Sequence, residues 1–280
     1  MNGASLFPQK NMAAVSQELA TQLKDFMKKT GSDGAVLNLS GGLDSAVVAY
    51  LAKKAKIDVR LLLLPENGVN DPKDVEDAVA VAKALNFKYS IIPINEAVEA
   101  VKRAFPESEF NSKNPTIAWA NVKPRIRMLY AYLTANLERR IVLGTGNRTE
   151  ILLGYATKYG DAGVDVLPIG SLYKTEVKIL ARHLKVPDSI IKKIPSAGLW
   201  KGQTDEGEIG VSYDVMDCVL HAIVDDGMSI EEAAANINVE LPVVESLWRR
   251  MVQNAHKSTA AQVLGSRGQI GDNLKSSFNN

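Results

Sequence analysis

Short apolar runs alternate with helical patterns along the first half of the chain, and each run ends near a glycine or a proline. Strands that alternate with helices of this length form parallel sheets covered on both faces. The sequence therefore predicts an α/β fold with a doubly wound parallel sheet. The predicted strands are 35–39, 59–64, 89–94 and 141–144. The predicted helices between and around them are 12–27, 44–55, 75–85 and 118–139.

The pattern changes after Pro187, where strand-like runs give way to two short helical stripes at 230–237 and 244–251. We predict one domain over residues 1–280, made of three parts. These are an α/β core over about 8–185, a mostly helical extension over about 186–257, and a polar tail over 258–280. The glycine- and aspartate-rich stretch 154–170 is predicted to be an ordered or ligand-ordered loop.

Charge and cysteine content exclude several classes of protein. Lysine and arginine total 33 against 32 acidic residues, and this balance argues against an extended nucleic-acid surface. Cys218 is the only cysteine, which excludes an intramolecular disulfide and a multi-thiolate metal site. The first residues do not resemble a signal peptide, and no apolar run could span a bilayer. We expect a cytoplasmic protein that binds neither nucleic acid nor membranes.

The segment Ser40–Ser45, with sequence SGGLDS, lies between a predicted strand and a predicted helix. Its glycines allow the backbone to approach an anion, and the free N–H groups of the following helix point toward it. Asp44 suits such a site if it binds a Mg²⁺ that bridges the phosphates. The segment is neither a Walker A loop nor a dinucleotide fingerprint. A glycine-rich turn capped by Asp44, without any ligand, remains the alternative.

This segment resembles the pyrophosphate-binding loop of the N-type ATP pyrophosphatases, which cleave ATP between its α and β phosphates. The resemblance implies the adenine-nucleotide α-hydrolase-like fold and an adenylated intermediate. Other members of the group modify tRNA or, like GMP synthetase, amidate a nucleotide. These enzymes are the alternatives within the group, and a non-catalytic nucleotide-binding module is the alternative outside it.

Later motifs separate the members of this group, and their order and spacing resemble those of the ammonia-dependent NAD synthetases over nearly the whole chain. The motifs are 143–150, 158–161, 165–169, 172–176, 195–197, 203–206, 210–214 and 256–257. The resemblance implies that deamido-NAD (nicotinic acid adenine dinucleotide) is amidated with ammonia, with ATP as co-substrate and Mg²⁺ as cofactor. It also implies a homodimer, with the helices between residues 118 and 139 as a plausible contact. No glutamine-hydrolysing region is found, so free ammonia is the expected nitrogen source.

The resemblance also implies a set of site residues. The ATP site comprises Asn38, Leu39, Ser40, Gly41, Gly42, Leu43, Asp44, Ser45, Thr145, Lys174 and Ser196. Mg²⁺ is expected at Asp44 and Glu150. Deamido-NAD is expected at Arg125, Lys158, Asp165, His256 and Lys257. The catalytic residues are expected to be Asp44, Lys174 and Asp165, the last as our hypothesis for orienting or deprotonating ammonium.

Three residues depart from the usual pattern of this family. Asn38 stands where many relatives have glycine, and Ser196 stands where many have threonine. Ser196 keeps the hydroxyl group, so we expect little loss there. Pro124 replaces the usual alanine beside Arg125 and is expected to kink or start a helix.

Overall fold

The sheet has four strands in the computed structural model, which describes residues 10–111 and 113–259. All strands pair in parallel, in the order β3-β2-β1-β4. The predicted α/β fold is confirmed, and β3 ends at Ile91 rather than at residue 94. Pro93 has no N–H to donate to a neighbouring strand. The strands are β1 (Gly34–Asn38), β2 (Val59–Leu63), β3 (Lys88–Ile91) and β4 (Arg140–Leu143).

The described residues also form thirteen α-helices, none of which is long and apolar enough to cross a membrane. The first seven are α1 (Met12–Thr30), α2 (Leu43–Lys54), α3 (Pro72–Ala84), α4 (Asn95–Ala104), α5 (Pro115–Ala120), α6 (Val122–Glu138) and α7 (Arg148–Leu153). The others are α8 (Lys174–His183), α9 (Asp188–Ile191), α10 (Asp205–Ile209), α11 (Tyr213–Leu220), α12 (Ile230–Ile237) and α13 (Leu241–Asn254). A π-helical turn, His221–Asp225, continues α11.

Helices cover both faces of the sheet because side chains of successive strand residues point to opposite faces. Ala35 and Leu37 of β1 belong to a buried cluster with α1, α2, α3, α8 and α9. Val36 belongs instead to a cluster with α4 and α6 on the other face. These two apolar layers fix the carboxyl end of β1, where the phosphate loop begins.

A further hydrophobic cluster joins α11, α12 and α13 to the ends of α7 and α8. Leu153 and Tyr173 contribute to it together with Tyr213, Val219 and Leu247. The C-terminal helices therefore pack directly against the two helices that carry predicted site residues. The boundary near residue 185 stays a prediction, and most of the predicted tail lies outside the described residues.

The helical pattern at 118–139 forms two helices, α5 and α6, rather than one. Pro124 explains the division, since in one continuous helix its missing N–H would leave the carbonyl group of Ala120 unpaired. In the observed arrangement Pro124 lies in the first turn of α6, where no intrahelical N–H bond is required.

Candidate active site

A cavity of about 650 Å³ opens at the carboxyl ends of β1, β2 and β4. Asn38, Leu64 and Gly144, at or just beyond the ends of those strands, line it. In open α/β sheets, ligands bind outside the carboxyl ends of the strands. The position and size of the cavity therefore fit a nucleotide site.

The predicted phosphate loop folds back on itself at the entrance to α2. The hydroxyl oxygens of Ser40 and Ser45 lie 3.0 Å apart, and the N–H of Gly42 donates to Ser40 Oγ at 3.2 Å. Gly41 has φ +81°, and a Cβ atom there would lie 2.1 Å from the carbonyl oxygen of Asp74 in α3. The loop is thus packed directly against α3, and only glycine fits at this position.

Lys174 lies between the two carboxylates that were predicted as metal ligands. Its Nζ is 2.5 Å from Asp44 Oδ2 and 3.6 Å from Glu150 Oε1, and the residue is only 3 % exposed. Asn147 joins the two acids, since its Nδ2 donates to Asp44 Oδ1 at 3.1 Å and its Oδ1 accepts from the N–H of Glu150. Lys174, expected at the ATP site, therefore lies beside the two carboxylates expected to bind Mg²⁺.

Burial and the charges of neighbouring residues shift the pKa values of Glu150 and Lys174. Burial raises the pKa of Glu150, an effect that Lys174 opposes and Asp44 reinforces. Burial alone would lower the pKa of Lys174, but the two carboxylates outweigh it and raise that pKa above its ordinary value. Lys174 is therefore a permanent cation at neutral pH, placed where anionic oxygens would accumulate.

Asp44 and Glu150 could hold one divalent cation, because both carboxylates lie within 4 Å of the Lys174 ammonium and both residues line the cavity. Among the described residues, no group of three or more histidine, cysteine or acidic side chains could hold a metal ion. Two carboxylates completed by phosphate oxygens and water form an ordinary Mg²⁺ site. The donor set therefore fits Mg²⁺ that arrives with a nucleotide.

A second lysine, Lys193, anchors the phosphate loop. Its Nζ donates to the carbonyl oxygen of Gly41 at 2.9 Å and pairs with Asp74 at 2.6 Å and Asp77 at 2.7 Å. Burial lowers the pKa of Lys193, but these two acids outweigh it and raise the pKa overall. The residue lines the cavity and fixes the turn that carries Gly41.

Comparison with known proteins assigns the chain to a family. The family model described as NAD synthase matches residues 15–261. The chain belongs to the NAD synthase family. An "NH(3)-dependent NAD(+) synthetase" of Methanococcoides burtonii is 44 % identical over 238 residues, which are 85 % of this chain and 89 % of that protein.

Solved structures of related proteins have the same fold as this chain. "NMN synthetase from Francisella tularensis" has a TM-score of 0.80 and 34 % identity, covering 92 % of this chain and 100 % of that one. "NH3-dependent NAD synthetase from Campylobacter jejuni" has a TM-score of 0.76 and 31 % identity, covering 91 % and 100 %. The doubly wound fold read from the sequence is therefore the fold of this family.

Most residues that the family resemblance implied for ATP lie at the cavity. All of the segment 38–45 except Gly41 lines it, together with Thr145, Lys174 and Ser196. Lys257 also lines the cavity, and its Nζ donates to the carbonyl oxygen of Gly154 at 2.9 Å.

The other residues implied for deamido-NAD lie outside the cavity lining. Arg125 donates to the carbonyl oxygen of Lys158 at 3.4 Å, and Lys158 donates to that of His256 at 2.6 Å, so these three form one surface group. Asp165 stands apart from them, since it accepts from the Tyr132 hydroxyl at 3.0 Å and from the N–H of Val142 at 2.7 Å. These roles in the NAD synthase family pattern stay predictions.

Sequence reasoning gave no role to several residues of this site. Lys193 could not be recognised, because a Lys-Lys pair flanked by isoleucines matches no motif for a binding site. Asp205 belongs to the motif 203–206; it is buried and accepts from the hydroxyls of Tyr155 at 3.1 Å and Tyr213 at 2.9 Å. Burial raises the pKa of Asp205, while Lys174 and both hydroxyls oppose the rise. The motif spacing was the one signal that could have identified it.

Proposed function

We propose that this protein is an ammonia-dependent NAD synthetase that amidates deamido-NAD and converts ATP to AMP and pyrophosphate. The observation that carries the proposal is the buried Lys174, held between Asp44 and Glu150 beside a phosphate loop in a chain of the NAD synthase family. A charged site of this kind suits transfer of a nucleotidyl group, because developing negative charge would be neutralised in place.

The reaction has two steps. A carboxylate oxygen of deamido-NAD attacks the α-phosphorus of ATP, and the bond between that phosphorus and the bridging oxygen of pyrophosphate breaks. Ammonia then attacks the carbonyl carbon of the adenylate, AMP leaves with the bonding electron pair, and a proton is lost from nitrogen. The first step supplies the leaving group that a free carboxylate lacks.

The residues of the cavity suit the first step. The N–H groups at the start of α2 and the Ser40 hydroxyl would bind the β and γ phosphates. Lys174 would donate to oxygens that gain charge as pyrophosphate departs. Asp44 and Glu150 would hold Mg²⁺, which when bound neutralises phosphate charge.

Product analysis tests this function. Protein incubated with ATP, Mg²⁺, deamido-NAD and ammonium should yield NAD, AMP and pyrophosphate in equal amounts, separated by chromatography. Formation of ADP, or AMP formation independent of deamido-NAD, would contradict the proposal. Nicotinic acid mononucleotide should be assayed in parallel, because one of the similar structures is that of an NMN synthetase. A higher kcat/KM for the mononucleotide would change the assigned acceptor.

We also propose that α6 forms a homodimer interface close to the deamido-NAD site. Leu129, Leu133 and Leu137 recur every four residues along α6 and are 57 %, 52 % and 76 % exposed. Residues four apart share one helix face, so these leucines make an apolar stripe in the single chain. Arg125 lies on the same helix one turn earlier.

Replacing Leu133 with glutamate is expected to convert the dimer into a monomer, because a charge would enter the centre of the apolar stripe. Light scattering after size-exclusion chromatography measures the change. Val252→Glu is the matched control, since Val252 is similarly exposed (56 %) but lies on a different helix, α13. A dimeric Leu133→Glu protein, or equal dissociation in both variants, would contradict this interface.

Substitution of Asp165 by asparagine tests the hypothesis that Asp165 orients or deprotonates ammonium. We expect kcat/KM for ammonium to fall about 100-fold, the lower end of the usual contribution of acid–base groups. Asp161→Asn is the comparison variant, because Asp161 lies on the same loop and lines the cavity. An unchanged ammonium dependence in Asp165→Asn would remove Asp165 from this role, and a change confined to Asp161→Asn would transfer it.

A further inference from the structure

Asp217 of α11 is the most buried acid whose role remains unassigned. It is fully buried (0 % exposed) and both carboxylate oxygens accept hydrogen bonds. Thr149 Oγ1 donates to Oδ1 at 2.5 Å, and the N–H of Thr175 donates to Oδ2 at 2.8 Å. Each partner is a neighbour of a proposed active-site residue, since Thr149 precedes Glu150 and Thr175 follows Lys174.

The Thr149 hydroxyl extends this connection to Lys174 itself. While it donates to Asp217, its oxygen accepts from the N–H of Lys174 at 3.0 Å. Lys174 and Thr175 are the first two residues of α8, and their N–H groups have no partner within the helix. Tyr173 at the N-cap is not one of the residue types that usually cap a helix through the side chain. The first two N–H groups of α8 are therefore capped by Thr149 of α7 and Asp217 of α11.

We infer that Asp217 is a positioning residue, which holds the first turns of α7 and α8 together so that Glu150 and Lys174 stay beside each other at the proposed Mg²⁺ site. This inference rests on the proposed NAD synthetase function. Through Asp217, the C-terminal helices α11 to α13 would support the active site, although they contribute few residues to the cavity lining. Partners that orient the groups around a metal site typically change affinity or activity by about 10–100-fold when they are removed.

Burial also perturbs the ionisation of Asp217. Burial raises the pKa of Asp217 to about 6, against the opposing effect of its bonds from Thr149 and Thr175. A carboxyl group whose pKa is raised by folding favours the folded state below its unfolded pKa, and this contribution is lost as the pH rises through about 6. At pH 8 the carboxyl group is therefore ionised and can accept from both threonines.

The test compares Asp217→Asn, Thr149→Val and the double variant at pH 8. Asparagine cannot accept from both donors through two oxygens, and valine removes the bridging hydroxyl. Each single variant should lower kcat about 10–100-fold, keep the KM for deamido-NAD within about twofold, and lower the melting temperature no more than the Val219→Ala control described below. The double variant should be no worse than the worse single one, because both changes break the same connection.

Two further variants complete the experiment. Thr149→Ser keeps the hydroxyl and should retain at least half of the wild-type kcat. Val219→Ala, in the same helix and fully buried, should lower the melting temperature but leave kcat within twofold. The inference is overturned by wild-type kcat in Asp217→Asn, by multiplicative losses in the double variant, or by an equal loss of kcat in Val219→Ala. Failure of the proposed function itself is distinguishable, since the wild-type protein would then make no NAD.

Discussion

Replacing Lys174 with methionine is expected to lower the kcat for NAD formation by at least about 10³-fold, which corresponds to about 4 kcal/mol of transition-state stabilisation. Methionine has a similar length but no charge. The Lys174 ammonium is almost completely buried beside Asp44. In the methionine variant, water therefore cannot readily take the place of the lost positive charge when pyrophosphate departs. Steady-state AMP formation measures the loss, and the KM for deamido-NAD should change little.

The same substitution should alter the response to Mg²⁺. Without the lysine, Asp44 and Glu150 face each other with no cation between them, and their repulsion should favour a divalent ion even without ATP. Mg²⁺ should therefore raise the melting temperature of Lys174→Met more than that of the wild-type protein. Lys178→Met is the matched control, one turn further along α8 and outside the cavity lining. A Lys174→Met enzyme with a tenth of the normal kcat, or an equal defect in Lys178→Met, would contradict the assigned role.

A Gly41→Ala variant is expected to bind ATP at least about 100-fold more weakly. Two effects combine. The positive φ costs a residue with a Cβ atom about 1–2 kcal/mol, and the new methyl group would overlap the Asp74 carbonyl oxygen at 2.1 Å. The loop would have to move away from α3, which would displace the N–H groups intended for the phosphates. Calorimetric titration with ATP and Mg²⁺ measures the loss.

Gly31→Ala separates the two effects. Gly31 also has a positive φ, +63°, but nothing lies within 4 Å of a Cβ atom there, at the end of α1. This variant should show the backbone strain as a lower melting temperature and bind ATP normally. Normal ATP binding by Gly41→Ala would show that the contact with Asp74 does not set the loop conformation.

The strands and the phosphate loop could be predicted from sequence because their signals are local. A buried parallel strand is a short continuous apolar run, and the observed starts of β1 to β4 differ from the predicted ones by at most one residue. The meeting of Asp44, Glu150 and Lys174 was available only through the family resemblance. No periodicity in the sequence relates residues separated by more than one hundred positions.

Other features could not be predicted because distant partners decide them. Asp217 resembles any acid of a helical segment until the fold places it against Thr149. Lys193 resembles a solvated lysine until Gly41 and Asp74 surround it. The division of α5 from α6 did have a local sign, Pro124, but the continuous helical pattern around it concealed where the first helix ends.

The two hydrogen bonds that Lys158 and Lys257 make to backbone carbonyls also bear on synthesis of the protein. Lys158 Nζ donates to His256, and Lys257 Nζ donates back to Gly154, so the loop after α7 is fastened by residues translated about a hundred codons later. A nascent chain that has not reached position 256 lacks both bonds. This loop therefore lacks both fastening bonds until residues 256 and 257 have been made.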